Sequence, residues 1–309
     1  MKNVVIFIIV ILINNLTYGG DMDKIFKAPG AGRWYPSFVN QLENAISIYL
    51  SKVKIDSEFK NKKLVAAISP HAGYQFSGLG NAYSYKLLEG KKYKRIFVIG
   101  PSHYIYVNKA CLLDASIYNT PLGDIKIDTQ ICNELSKNPN FKFEFEAFQY
   151  EHSTDNQIPF IQYVLGNEDI KIIPIIVGEI DLKAAQAIAD EIRKYIDDNT
   201  FVAISSDFTH YGMNFNYLPF PINDKTRKNL EKLDMGAVEF IKNFDAEGFD
   251  DYITKTGATI CGRNPIKILL YLFNNKEYDA KLLHYYTSGD ENNDYSLSVS
   301  YVSLGIFKK

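Results

Sequence analysis

The sequence predicts an α/β domain built around a central, mostly parallel mixed sheet with helices on both faces. Short apolar runs rich in β-branched residues alternate along the chain with segments whose apolar residues recur every three to four positions. Runs of the first kind are typical of strands buried on both faces, and segments of the second kind are typical of covering helices. Their alternation favours parallel strands joined by helical crossovers.

Four apolar runs bounded by turn residues are predicted to be central strands of this sheet. They lie at residues 64–69, 95–100, 171–177 and 201–205. The covering helices are predicted at residues 38–53, 130–137, 158–165, 182–196 and 225–243. Further helices are expected from near Leu79 and over residues 266–273. Residues 281–287 and 296–305 flank a turn-rich segment and indicate an antiparallel hairpin added to the sheet.

The composition is typical of one globular domain. Hydrophobic residues make up 46% of the chain and charged residues 23%, a balance that allows a large core. The net charge is −2, and the chain lacks the basic stripe that would neutralise phosphates along a nucleic acid, so we expect no nucleic-acid partner. Because no linker, repeat or low-complexity tract interrupts the later chain, we predict a single domain over residues 21–309.

The first twenty residues have the order of a signal peptide. Lys2 precedes an unbroken apolar run at residues 4–13, and the small pair Gly19-Gly20 follows it. The run is shorter than the roughly 20 apolar residues that a membrane-spanning helix needs. We therefore predict a signal peptide over residues 1–20, an exported protein, and no stable membrane span after processing. The alternatives to a signal peptide are a hydrophobic N-terminal strand and an over-extended start codon. The alternative to export is a cytoplasmic protein.

The positions of the histidines relative to the predicted strands are the most informative feature of the sequence. His71, His103 and His210 each follow closely after a predicted strand, whereas His284 lies inside an apolar run and is expected to be a hydrogen-bonded core residue. In open α/β sheets, ligands bind outside the carboxyl ends of the strands. We therefore expect the three strand-end histidines to converge, and imidazole is the commonest metal ligand among side chains. The sequence predicts a transition-metal site there.

Cys261 is predicted to be a further ligand. It stands before the predicted helix at residues 266–273 and close to Arg263. A helix dipole and a neighbouring cation lower the pKa of a thiol and favour the thiolate, which is the form that binds metals. A small buried side chain is the ordinary alternative for a free cysteine. In an exported protein Cys111 and Cys132 could form a disulfide, although nothing in the sequence requires one.

Two further side chains are candidates for acid–base roles. His152 lies in a loop before the predicted helix at residues 158–165, and imidazole titrates near neutral pH. The nearby Asp155 could simply cap that helix. Asp207 could orient His210, as carboxylates commonly do for metal-bound imidazoles, or it could cap the element that follows the strand.

Six ordered motifs spread over nearly the whole chain carry a family resemblance. They are Gly32-Arg33-Trp34-Tyr35, Pro70-His71-Ala72-Gly73-Tyr74, Gly100-Pro101-Ser102-His103, Glu151-His152-Ser153, Ser205-Ser206-Asp207-Phe208-Thr209-His210 and Thr259-Ile260-Cys261-Gly262-Arg263. With them the sequence resembles the Memo family, which is found alone or as the B component of the AmmeMemoRadiSam group. The resemblance implies a fold similar to class III extradiol dioxygenases, with a vestibule that binds iron or copper. It also implies metal ligands at His71, His103 and Cys261, with Asp207 and His210 lining the same pocket.

Two imidazoles and one thiolate differ from the two-histidine, one-carboxylate set of oxygen-activating iron enzymes. The fold alone therefore does not predict a dioxygenase. The first hypothesis is a metal-dependent redox protein that holds iron(II), or alternatively copper, with His152, His210 and Asp207 as catalytic side chains and an unidentified small-molecule or peptide ligand.

Two alternatives remain open. One is a non-catalytic module that handles metal or binds a peptide. The other is a hydrolase in which Cys261 is the nucleophile, His210 the base and Asp207 the orienting carboxylate.

Overall fold

A computed structural model of the chain describes residues 23–60, 62–274 and 276–309. The predicted signal peptide at residues 1–20 lies outside the described residues. The described part contains twelve strands and eleven α-helices. The strands are β1 (Ile25–Lys27), β2 (Leu64–Ser69), β3 (Arg95–Pro101), β4 (Ala110–Leu112), β5 (Ile117–Thr120), β6 (Gly123–Ile127), β7 (Phe141–Phe143), β8 (Lys171–Val177), β9 (Thr200–Ser205), β10 (His210–Gly212), β11 (Tyr278–Thr287) and β12 (Leu297–Lys308). The helices are α1 (Val39–Lys52), α2 (Ser57–Lys60), α3 (Tyr74–Tyr85), α4 (Thr129–Leu135), α5 (Glu146–Gln149), α6 (Ile158–Leu165), α7 (Leu182–Arg193), α8 (Thr226–Lys242), α9 (Ala246–Thr256), α10 (Arg263–Leu272) and α11 (Ser288–Asn292).

Five parallel strands form the centre of the sheet, in the order β6-β8-β3-β9-β2. The four predicted central strands are confirmed to within one residue at either end, and every residue of β2 and β9 is buried. Strands buried on both faces are expected to be apolar throughout, which is why the sequence identified them. Helices flank the sheet: α1 and α6 pack with α3, which lies on β2, while α7 and α9 pack with α10, which lies on β3 and β9. The predicted fold class is confirmed.

The C-terminal hairpin is also confirmed. β11 and β12 pair antiparallel from Tyr278 opposite Lys308 to Thr287 opposite Ser300, with an irregularity near His284. β12 continues the sheet by pairing antiparallel with β2. The turn-rich segment between the two strands forms the short helix α11, which the Thr287 side chain caps.

Helix α3 begins at Tyr74, five residues before the predicted start near Leu79. Glycine and polar residues in its first turns hid the helical pattern. One of them, Gly78, is required by packing, because a Cβ atom there would lie 2.4 Å from the Tyr49 ring of α1. The early start places the first turn of α3 immediately after His71.

The disulfide that Cys111 and Cys132 could form in an exported protein is absent. Cys111 in β4 and Cys132 in α4 are both free, buried thiols, and burial raises the pKa of Cys132 to about 12.

Among the described helices, none has the length and apolar character needed to cross a membrane.

Helix α1 offers a matched test of the core that supports α3. Ile46 is fully buried, whereas Ile48 of the same helix is 46% exposed. Ile46→Ala should lower the free energy of unfolding by about 2–5 kcal/mol through lost burial and a residual cavity. Ile48→Ala should change it by less than about 1 kcal/mol. Urea denaturation at an unchanged m-value measures both, and equal losses would contradict the packing of α1.

Candidate metal centre

The neighbouring strands β2, β9 and β3 bring the candidate residues to one edge of the sheet. Ser69 at the end of β2 is in register with Ser205 at the end of β9. Ring centroids lie 5.1 Å apart for His71 and His103, 5.4 Å for His71 and His152, and 4.8 Å for His103 and His152. The structure therefore brings together the two predicted histidine ligands and adds His152, which the sequence predicted only as a candidate acid or base.

These three histidines could hold a metal ion. One ligand atom from each lies within 4.8 Å of the others. Nitrogen ligands stand about 2.0–2.1 Å from an ion such as zinc, so two of them on one ion lie within about 4 Å of each other. A small inward shift of the rings would therefore complete the site. The hydrogen bonds of each ring decide which nitrogen is free to bind.

The His71 ring is fixed by a serine hydroxyl. Its Nδ1 lies 2.7 Å from Ser205 Oγ, and that hydroxyl donates its proton to the carbonyl oxygen of Ser153. Since the hydroxyl proton is used, Nδ1 of His71 must be the donor, and Nε2 carries the lone pair of the ring. Burial, and then the neighbouring imidazoles, hold the pKa of His71 well below its ordinary value. His71 is thus a neutral ligand with Nε2 available.

The His103 ring is fixed by a carboxylate. Glu151 Oε1 lies 2.9 Å from Nδ1 of His103, and Oε2 accepts the His103 backbone N–H at 2.6 Å. Burial alone would lower the pKa of His103, but the hydrogen bond and charge of Glu151 raise it above its ordinary value. Burial likewise opposes ionisation of Glu151, and His103 nonetheless lowers its pKa. Carboxylate–histidine pairs of this kind orient metal ligands. Glu151 was not among the site residues predicted from the sequence.

The His152 ring is held by stacking. The indole of Trp34 lies parallel to it, with centroids 3.7 Å apart and planes 3° apart. Its Nδ1 is buried and has no hydrogen-bond partner within the described residues. Burial lowers the pKa of His152 to about 4, so the ring is neutral near neutral pH. An unpartnered buried nitrogen is costly, and binding a metal ion is one way to satisfy it.

Cys261 lies beside His71, with 3.2 Å between Sγ and Nε2. The Asp207 backbone N–H donates to the same sulfur at 3.2 Å. Burial, and then the charge of Asp207, raise the pKa of the thiol well above its ordinary value. The prediction of a lowered thiol pKa is therefore wrong. Arg263 instead forms a salt bridge with Glu179 at 2.6 Å, so the positive charge faces that carboxylate and not the thiol.

Asp207 supports His71 and not His210. Its Oδ1 accepts the backbone N–H of His71 at 2.7 Å, whereas His210 has Nδ1 3.0 Å from the carbonyl oxygen of Thr259. No hydrogen bond joins Asp207 and His210 among the described contacts, so the orienting role, which was one of the two alternatives for Asp207, is not seen. The imidazole next to Cys261 is that of His71, so the alternative Cys261–His210–Asp207 triad is not assembled among the described contacts.

Asp155 does not cap helix α6. Its side chain accepts hydrogen bonds from the backbone N–H of Gly30 and from the hydroxyls of Tyr35 and Tyr118. It thereby ties the N-terminal loop to the segment that carries His152.

The histidines open into a cavity of about 710 Å³. Arg33 and the polar residues Gln75, Ser288 and Asn292 share its wall with the candidate residues Asp207 and His210. The aromatic and apolar part of the wall is formed by Trp34, Phe76, Tyr104, Phe215, Leu297, Val299 and Tyr301. We call this cavity the vestibule. Its volume and mixed lining are typical of small-molecule sites.

The fold and this site define an α/β protein with a histidine-lined, metal-competent pocket at the carboxyl ends of parallel strands. The family model for Memo-like proteins matches residues 27–305. The chain is 34% identical to the memo-1 homolog of Caenorhabditis elegans, over 91% of this chain and 82% of that protein. It is 32% identical to human protein MEMO1, over 90% of this chain and 95% of that protein. The chain belongs to the Memo family.

One solved structure supports the fold alone. An uncharacterized protein of Escherichia coli K12 matches 78% of this chain and 99% of its own, with a TM-score of 0.50 and 12% sequence identity.

Replacing Glu151 tests its role beside His103. In Glu151→Gln the pKa of His103 should fall, because the neutral amide removes the charge that raises it. Histidine ring signals followed by NMR over pH in metal-stripped protein measure the change. The remote His284 should titrate as it does in the wild type, and an unchanged His103 pKa would refute the pairing.

The same pair should also affect stability over pH. The raised pKa of His103 stabilises the fold below its ordinary value of about 6.5, and this stabilisation is lost as pH rises through the raised value. The lowered pKa of Glu151 stabilises the fold above its ordinary value and is lost as pH falls through the lowered one. Glu151→Gln should thus be most destabilising between the two folded-state pKa values, as urea denaturation at several pH values would show.

Proposed function

We propose that this chain is a metal-dependent redox protein that holds iron(II), or alternatively copper, at His71, His103 and a third ligand. The observation that carries the proposal is the convergence of three histidine ligand atoms within 4.8 Å at the base of the vestibule. The two side chains available as the third ligand are His152 and Cys261. The metal would supply redox chemistry and an open coordination position for oxygen or substrate.

The protein prepares this donor set before a metal arrives. Ser205 and Glu151 occupy Nδ1 of His71 and His103, which leaves Nε2 of each ring as the nitrogen that could bind a metal. Asp207 holds the His71 backbone from the end of β9. Metal sites in proteins generally depend on such outer contacts for ring orientation and affinity.

His210 is suited to proton transfer. It lines the vestibule, and its Nδ1 lies 3.0 Å from the Thr259 carbonyl oxygen, which can only accept a hydrogen bond. Nδ1 must therefore carry a proton, and Nε2 of the neutral ring can receive one. The aromatic wall would hold an apolar or aromatic part of the ligand and exclude water. These features support a small-molecule or peptide ligand.

The second candidate is a non-catalytic protein that handles metal or binds a peptide in the vestibule. It is favoured by the exposed aromatic side chains of the vestibule wall, with Tyr104 48% and Phe76 38% exposed. Tyr106, which follows closely along the chain, is 81% exposed. Exposed aromatic groups around a cavity are typical of binding surfaces. Consumption of oxygen by the iron-loaded protein would favour the redox function over this one.

Elemental mass spectrometry of protein purified without oxygen tests the metal site. We expect roughly one iron or copper ion per chain, and less than about a tenth of that in His71→Ala and His103→Ala. His284→Ala, which alters a histidine stacked on Tyr83 outside the vestibule, should retain the metal. His152→Ala and Cys261→Ser identify the third ligand. A wild-type protein that stays empty after reconstitution, or binds only zinc, would refute the redox proposal.

A further inference from the structure

Arg33 differs from the other arginines of the chain in having no carboxylate partner among the described residues. The sequence has five arginines. The other four form salt bridges, and the pairs are Arg95 with Asp197, Arg193 with Asp190, Arg227 with Asp290, and Arg263 with Glu179. The positive charge of Arg33 is therefore available to a ligand.

This charge lies at the vestibule. Arg33 is exposed and lines the cavity, and the next residue, Trp34, stacks on His152 with ring centroids 3.7 Å apart. Burial and Glu151 raise the pKa of Tyr104, whereas the charge of Arg33 opposes them. Burial is the main cause of the lowered pKa of His152, and Arg33 adds to it. The guanidinium is therefore close enough to act on side chains of the vestibule wall.

The carboxylates near the vestibule do not neutralise Arg33. Asp207 is the one carboxylate among the described residues that line the cavity. It is buried, and its Oδ1 accepts the backbone N–H of His71 at 2.7 Å. Glu151 is also buried, and both of its oxygens accept hydrogen bonds from His103. The accessible charge of the vestibule is thus positive, and a positive cleft attracts anions.

The residues present favour a carboxylate joined to an apolar body. The planar guanidinium donates two parallel hydrogen bonds to the two oxygens of a carboxylate. One guanidinium balances the single charge of a carboxylate, whereas a phosphate monoester carries a charge of about −1.5 to −2 at neutral pH. The indole of Trp34 and the rings of Phe76 and Phe215 line the same cavity and offer an apolar surface to the rest of the ligand.

We propose that Arg33 is a specificity-determining residue of the vestibule, and that the ligand is a small aromatic or apolar carboxylic acid whose carboxylate pairs with the guanidinium. This inference rests on the proposed function, in which the vestibule binds the ligand, and it names the class of that ligand. The pairing involves no metal ligand, so it holds in the metal-free protein and can be measured there.

Titration of the metal-stripped full chain with 3-phenylpropionate tests the inference. Trp34 is the single tryptophan of the chain, so its fluorescence reports binding beside Arg33. The acid should give a saturable change, and uncharged 3-phenylpropanamide should bind roughly 5–50-fold more weakly, because it lacks the charge that pairs with the guanidinium. Arg33→Met should weaken the acid by the same factor and leave the amide unchanged. Arg193→Met, which removes an exposed arginine paired with Asp190, should leave both Kd values unchanged.

Two further measurements support the comparison if Arg33→Met does not fold. Arg33→Lys keeps the charge but loses the planar fork, so it should weaken the acid less than the loss of charge does. Added salt should weaken binding of the acid and not of the amide, since it screens an exposed charge pair.

The outcomes separate this inference from the proposed metal function. The inference is overturned by a wild-type protein that gives no saturable change with the acid, by equal affinities for acid and amide, or by an unchanged Kd for the acid in Arg33→Met. Tighter binding of phenyl phosphate than of the acid would overturn the assignment to carboxylates in favour of phosphate esters. A protein that binds the acid through Arg33 but holds no iron or copper would lose the redox function and keep this site.

Discussion

The parallel pairing of β2 with β9 is the constraint on which the site depends. Ser69 and Ser205 end these strands in register, so the loops that follow begin side by side. The Ser205 hydroxyl then reaches Nδ1 of His71 and the Ser153 carbonyl oxygen. A slip of one residue would turn the Ser205 side chain to the other face of the sheet. The strand register therefore determines which nitrogen of His71 is free, and the fold and the chemistry of the ligand are set by the same backbone hydrogen bonds.

Three different interactions orient the three histidines. A hydroxyl holds His71, a buried carboxylate holds His103, and an indole holds His152. Each arrangement has a different consequence for charge: the carboxylate raises the pKa of His103, whereas burial lowers those of His71 and His152. A cluster in which every ring were paired with a carboxylate would bury several negative charges, and a cluster without any of these three contacts would leave every ring free to turn. The mixture keeps two rings neutral and all three in defined orientations.

The sequence predicted the sheet and the positions of His71 and His103, because buried parallel strands are apolar throughout and these histidines follow the strand ends. The contacts that orient the rings could not be predicted from the sequence. Ser205 and Glu151 are separated from their histidines by 134 and 48 residues, and side-chain direction decides whether they meet. The thiol of Cys261 shows the limit of local signals. The start of α10 and a nearby arginine are typical of a low pKa, but that arginine turns towards a glutamate and burial decides the sign.

The contact between Cys261 and His71 links the two candidate ligand sets. Because Nδ1 of His71 donates to Ser205, Nε2 can only accept, and the single thiol proton faces two acceptors: Nε2 at 3.2 Å and the Asp207 carbonyl oxygen at 3.4 Å. A metal ion and the thiol proton cannot share one lone pair. Metal binding at Nε2 must therefore leave the thiol proton on the side of the Asp207 carbonyl oxygen or remove it. If the proton leaves, the thiolate becomes a ligand beside His71; if it stays, the thiol turns aside and His152 is the available third donor. Burial and the charge of Asp207 raise the pKa of Cys261 in the metal-free site, whereas a metal ion deprotonates a thiol that coordinates it, so the metal must supply the free energy that the first outcome requires.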